Sequence, residues 1–178
     1  HCNPHNPVGH VWIEDEMDQL FSICKRHGVL IISDEIHQDL ITGLTSFTSA
    51  LTVSNGAYTD KLIAMSSLSK SFNMASLHHA EIIIPNEELR NHYNAFKSLV
   101  YHTDSDVLAE AAITAAYTHP EAEAWLTDLL NVVKENYDYM CNKLLATLPE
   151  LRISPMDGTY LAWIDFSAYL KPEEMHDF

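Results

Sequence analysis

The 178 residues are 47% hydrophobic and 20% charged, enough apolar content for one globular domain, or one plus part of another, which excludes a disordered chain. A net charge of -15 gives an acidic surface that repels nucleic acid phosphates and anionic lipid, so neither is an expected partner. The 3 cysteines, Cys2, Cys24 and Cys141, form no CxxC pair and fit a reduced cytoplasmic setting, and no apolar run approaches the ~20 residues that span a bilayer.

The chain opens on a Pro-rich loop, NPHNPVG at 3–9. Residues 13–27 then place Ile13, Met17, Leu20, Phe21 and Cys24 on one helical face. Gly28 after Lys25 and Arg26 predicts the C-terminal cap. VLIIS at 29–33, KLIAMSS at 61–67 and AEIIIP at 80–85 are continuous apolar runs, the pattern of strands covered on both faces in an open α/β sheet. Helical patterns follow from Asn86, then from Ser105 as an N-cap, then over 121–148 until Pro149. LRISP and TYLAWIDF read as strands split by the turn MDG at 156–158. The aromatics Trp125, Tyr137, Tyr139 and Trp163 fall on apolar faces and are expected in the core. Pro172, Glu173 and Glu174 open a further helix. Both ends read as cut, so the chain is expected to be an internal piece of a larger protein.

Three polar segments follow predicted strands or turns, where open sheets bind ligands: NPHNPVG, SDEIHQD at 33–39 and SSLSKSFN at 66–73. Lys70, among four serines, can form a Schiff base with an aldehyde cofactor, and the hydroxyls can hold a phosphate. The segment alone fits a solvated loop lysine equally well. A Ser-x-x-Lys site of the penicillin-binding type is disfavoured, because the chain has SDE rather than SDN and no KTG. Asp34 closes an apolar strand, and a half-buried carboxylate needs a cation or donor, for which a protonated pyridine nitrogen serves. A cap for the next turn is an equally open reading. His37 lies one turn beyond Asp34, and Asn6 is held between Pro4 and Pro7, although Asn-Pro is also an ordinary turn signal. The 11 histidines show no HExxH or paired spacing, so no metal is expected.

Together these segments resemble the class I/II aminotransferase group of fold-type I pyridoxal 5′-phosphate (PLP) enzymes, where NPHNPVG, SDEIH and SxSKSFN occur in this order. The likeness is greatest to the cystathionine β-lyase branch, the MalY/PatB group. CNPHNPVGHVW, ISDEIHQDL, SKSFN, EIIIPN and GTYLAWIDF all look like that branch, as does AAYTHPEAEAWLTDLL. The resemblance covers essentially the whole chain. It implies an α/β PLP-dependent transferase type I fold. Residues 1–120 would form part of the large domain with a mostly parallel sheet, 121–148 an interdomain helix, and 149–178 the start of a small α+β domain.

The same resemblance implies PLP as cofactor, an amino acid as small-molecule substrate and a cytoplasmic homodimer. Lys70 would carry the cofactor and move the Cα proton. Asp34 would pair with the pyridine nitrogen and Asn6 would donate to the phenolic oxygen. Ser67 and Ser69 would contact the phosphate. His37 stands where typical aminotransferases have a tyrosine, and His78 where many have a phosphate-binding arginine; both departures look like the lyase branch. The implied activity is β-elimination at a Cβ–S bond, giving thiol, pyruvate and ammonia. An aminotransferase is the alternative. A role in a different class is a regulatory protein, since some members of the group repress a transcription activator by contact. The phosphate loop, ring-stacking aromatic and substrate-carboxylate arginine of the family are not in these residues, which alone are expected to be inactive.

Overall fold

The structure, a computed structural model, describes residues 1–100 and 107–170. Helix α1 spans Glu14–Arg26, with three acidic residues in its first turn and Lys25 and Arg26 in its last, each favourable to the helix dipole. The Glu16 carboxylate accepts the Ile13 N–H at 3.1 Å, one half of a capping box. At the other end Gly28 adopts φ +68°, its N–H donates to the Lys25 carbonyl, and the Val29 N–H donates to Cys24. That is a Schellman motif, so the predicted glycine cap is met. Met17 and Phe21 are fully buried and pack with Ile31, Ala50, Val53, Tyr58 and Leu62 as the hydrophobic core.

Strand β1 (Ile31–Asp34) pairs in parallel with β2 (Leu62–Ser66), and β3 (Glu81–Ile83) pairs antiparallel with β2. Residues 1–3 add a short parallel stretch on the far side of β1, where the Asp34 N–H donates to His1 and the Asn3 N–H donates to Asp34, each at 2.9 Å. The sheet is therefore mixed at its β3 edge. Burial alternates along β1: Ile31 and Ser33 are buried while Ile32 is 47% exposed. Ile82 and Ile83 of β3 are exposed as well, so among the described residues β1 and β3 lack part of the cover their apolar runs call for, as expected of a piece of a larger sheet.

Three helices follow: α2 (Glu87–Leu99), α3 (Val107–Thr118) and α4 (Ala122–Thr147), the last ending just before Pro149. The Asn86 side chain caps α2 by accepting the Leu89 N–H at 2.9 Å. The predicted cap at Ser105 and the helix predicted from Pro172 lie outside the described residues. Neither α2 nor α4 buries a residue. This corrects the expected core aromatics. Trp125, Tyr139 and Trp163 are 48%, 66% and 51% exposed, and Tyr137 is half-buried with its hydroxyl donating to the Ser154 carbonyl at 2.7 Å. An apolar stripe becomes core only where a second layer lies over it, and α4 rides on the surface of the described residues.

Strands β4 (Arg152–Ile153) and β5 (Ile164–Asp165) form a short antiparallel pair, with the chain between them irregular or bent. The MDG turn latches onto the first loop. The Gly9 carbonyl accepts the N–H groups of Asp157 and Gly158, and the Asp157 carbonyl accepts those of Thr42 and Gly43. A Cβ at Gly158 would stand 2.7 Å from the Pro4 Cβ, so only glycine permits this approach. The latch carries Thr159 and Tyr160 to the ends of the strands. No helix among the described residues is long and apolar enough to cross a membrane.

Candidate active site

Because β1 and β2 run in parallel, Asp34 and Ser66 finish at the same edge of the sheet, the edge where open α/β sheets bind ligands. Successive strand residues point to opposite faces. Asp34 is half-buried, and its Oδ1 accepts the Ile36 N–H at 3.2 Å, which sets the plane of the carboxylate. Glu35 turns the other way and is 3% exposed. It accepts from the Ser33 hydroxyl at 2.9 Å, the Ser49 hydroxyl at 2.7 Å and the Ala50 N–H at 2.8 Å. A buried charge with three donors is satisfied, and it ties the 49–51 segment under the strand end. Sequence reasoning passed over Glu35. Glu35 shares a face with Ile31 and Ser33, an alternation that the continuous apolar run before it hides.

The chain leaves β1 in a tight turn, with the Gln38 N–H on the Glu35 carbonyl and the Leu40 N–H on that of His37, each at 2.9 Å. The turn buries His37 to 2% exposure, and neither ring nitrogen has a hydrogen-bond partner among the described residues. Its ring meets Tyr160 edge-on, centroids 5.6 Å apart. Burial pushes the imidazole below the ordinary histidine range, the Lys70 charge pushes the same way, and the Asp34 carboxylate opposes them. The three predicted residues therefore form one electrostatic cluster. Tyr160 was not anticipated here. Before it, Thr159 is buried at φ +67°, an uncommon conformation for a β-branched residue, and its N–H is held by the Leu40 carbonyl at 2.8 Å.

Lys70 sits in a single helical turn after β2, closed by the Phe72 N–H on Leu68 at 2.9 Å and the Met74 N–H on Ser69 at 3.0 Å. Lys70 itself is half-buried. Ser67 is buried; its hydroxyl donates to the His79 carbonyl at 2.7 Å and accepts the Ser69 N–H at 3.1 Å. The single Ser67 proton is thus directed into the fold, whereas the half-buried Ser69 hydroxyl has no hydrogen bond among the described residues. His78 is exposed in the left-handed region at φ +48°.

The first loop divides its two asparagines. Asn3 is fully buried; its side chain accepts the Trp12 N–H and donates to the Thr48 carbonyl, both at 3.0 Å. Asn6 is exposed, with no hydrogen bond to Asp34, His37 or Lys70. The structure therefore brings together Asp34, His37 and Lys70, places Ser67 and Ser69 in the lysine turn, and leaves Asn6 on a neighbouring loop braced by the MDG latch.

The donor set fits PLP. An amine suits an aldehyde, a carboxylate suits a pyridinium, and a buried imidazole with two unpartnered nitrogens needs a polar neighbour. No group of three His, Cys, Asp or Glu side chains among the described residues is placed to hold a metal ion. Fold and cluster together define an α/β protein of the aminotransferase type. The chain belongs to the aminotransferase class I and II family, whose model matches residues 1–178.

Protein MalY of Escherichia coli (strain K12) is 37% identical over 177 residues, covering 99% of this chain and 43% of that protein. Cystathionine beta-lyase PatB of Bacillus subtilis is 34% identical over 168 residues, covering 94% and 43%. The PLP-bound C-S lyase from Staphylococcus hominis superposes with a TM-score of 0.85 at 37% identity, covering 94% of this chain and 41% of that one. Cystalysin from Treponema denticola, which contains PLP, superposes with a TM-score of 0.87 at 31% identity, covering 94% and 42%. The chain spans less than half the length of these relatives.

Proposed function

We propose that the full-length protein is a PLP-dependent carbon–sulfur β-lyase acting on cystathionine or a cysteine conjugate. The placement of Asp34 and the buried His37 at the end of β1, and of Lys70 in the turn after the parallel strand β2, in a chain of this family, is the observation that carries the reading. Relatives named as cystathionine beta-lyases at 34% and 32% identity support this reaction type. When bound, PLP supplies an electron sink for charge that develops at the substrate Cα.

The chain's own residues divide the remaining work. The Lys70 amine would hold the cofactor aldehyde until the substrate amine displaces it, and the freed amine would then take the Cα proton. The Asp34 carboxylate holds a proton on the ring nitrogen. His37, whose burial favours the neutral imidazole, would offer one donor and one acceptor nitrogen to the bound cofactor. Ser69 would donate to the cofactor phosphate from the turn that Ser67 braces, and Asn6, on the neighbouring loop, would donate to the phenolic oxygen. Once Lys70 has taken the Cα proton, the Cβ–S bond breaks and the sulfur leaves as thiolate. The unsaturated amino acid that remains hydrolyses to pyruvate and ammonia. The same reading makes the full-length protein a cytoplasmic homodimer, for which sedimentation is the measurement.

Incubation of the full-length protein with cystathionine, and separately with an amino acid plus 2-oxoglutarate, tests the reaction type. Thiol and pyruvate from the first are expected. Ready glutamate formation from the second, with no thiol from the first, would make the protein an aminotransferase instead.

A further inference from the structure

The Lys70 turn is fastened by groups that the proposed chemistry does not use. Ser71 is fully buried, and its hydroxyl donates to Asp39 Oδ2 at 2.8 Å. The Tyr117 hydroxyl of α3 donates to the same oxygen at 3.2 Å. Beside this pair, Phe72 stacks on Trp125 of α4 at 5.6 Å and meets Tyr117 edge-on at 6.0 Å. The turn that bears His37 is thus tied directly to the turn that bears Lys70, although Asp39 and Ser71 are 32 residues apart in sequence. Neighbouring side chains diverge by about 100° around a helical turn. With Ser71 and Phe72 pinned, the Lys70 side chain is sent another way, to where its charge acts on His37. Burial, and next the Asp39 charge, push the Tyr117 phenol well above its ordinary range.

We infer that Asp39 is a positioning residue: by gripping Ser71 it fixes the turn that aims the Lys70 amine at the cluster of Asp34 and His37. The inference rests on Lys70 being the cofactor lysine. Asp39 acts through Ser71 and leaves the bond-breaking to others. A pin of this kind matters because a misplacement of about 1 Å in a reacting group costs on the order of 10²-fold in rate.

The test uses the PLP-loaded full-length protein and its Asp39→Ala, Asp39→Asn and Ser71→Ala variants. Amide hydrogen exchange over residues 69–74 is the direct reading. Asp39→Ala is expected to raise exchange there about tenfold or more while α1 and β1 keep their protection. Its kcat should fall on the order of 10²-fold with KM within about twofold. Asp39→Asn keeps an acceptor for Ser71 and should restore most of both readings. Ser71→Ala should copy Asp39→Ala, and the double variant should be no worse than either alone. Ser71→Ala is also the smaller cut, and it carries the test if Asp39→Ala does not fold. Unchanged exchange and kcat in Asp39→Ala, or additive losses in the double variant, would overturn the inference. Borohydride trapping on the wild type keeps the two ideas apart. A label on a residue other than Lys70 would remove the cofactor assignment, while exchange at 69–74 would still decide whether Asp39 holds the turn.

Discussion

Helix α1 and helix α4 each carry an apolar stripe, the sharper one in α1, and the two meet opposite fates. In α1 the stripe lies on β1 and β2, and Met17 and Phe21 lose all contact with water. In α4 the stripe includes Trp125 and Tyr139, and no residue of the helix is buried. Periodicity therefore decides which face of a helix is apolar. What decides burial is a neighbouring layer. The polar residues behave in parallel: those at the strand ends over the α1 layer are fixed by backbone and carboxylate contacts, while polar groups along α4 face solvent. A site that must hold an amine and a carboxylate in register belongs on the first kind of region.

Breaking the packed side should have the largest effects. Replacement of Lys70 by alanine in the full-length protein should abolish borohydride-stable cofactor attachment and lower turnover on the order of 10³-fold or more. Attachment that survives this change would remove Lys70 from its role. Next comes Phe21→Ala, which empties the middle of the core and should cost about 3–5 kcal/mol in urea unfolding. Glu35→Ala leaves the Ser33, Ser49 and Ala50 donors facing a void and should cost about 3 kcal/mol. A loss of less than about 1 kcal/mol would mean that water replaces the carboxylate easily and that the strand end is looser than its contacts indicate.

A pH series adds a smaller effect with a definite sign. His37 is pushed below its ordinary value of 6.5, so between the two values the unfolded chain binds the proton and the folded chain does not. The stability from a neutral, buried His37 is complete above about pH 6.5 and is lost as pH falls through that value toward the folded one. The slope from this group is at most about 1.4 kcal/mol per pH unit. Urea midpoints measured from about pH 7.5 to about 5.5 should therefore fall more steeply for the wild type than for His37→Gln. Parallel curves would show that the ring is hydrated in solution.

The first helix, its glycine stop and the first three strands were legible in the sequence because each depends on neighbours within a few residues, whereas LRISP and TYLAWIDF keep only two strand residues each. Gly28 caps α1 through bonds to Lys25 and through Val29 to Cys24, all inside one short window. The segments bearing Asp34, His37 and Lys70 were legible too, as polar chemistry at the ends of apolar runs. Contacts between distant residues were not. Ser71 and Asp39 lie 32 residues apart, Thr42 and Met156 lie 114 apart, and no local pattern marks either pair. Tyr160 reaches His37 only because Gly9 and Gly158 let two loops touch. Glu35 was hidden for a different reason. A continuous apolar run reads as buried on both faces, which erases the alternation that separates Asp34 from Glu35.

The smallest predicted effect lies on the exposed side, at Tyr139 of α4. Its ring is 66% exposed, and the Lys143 ammonium one turn on stands 5.5 Å from its centroid. An exposed cation–π pair contributes about 0.5–1 kcal/mol. Alanine is the better helix former by roughly half a kcal/mol. The two terms oppose each other, so Tyr139→Ala should change stability by no more than about 0.5 kcal/mol. Lys143→Ala should change it as little, because it loses the same pair and gains only a small propensity term. Thermal unfolding of the two variants beside the wild type measures both. A cost for Tyr139→Ala near 2 kcal/mol, with none for Lys143→Ala, would mean that the tyrosine packs under a covering layer. The contrast between α1 and α4 would then be one of degree, and the stripe on α4 would be a core face after all.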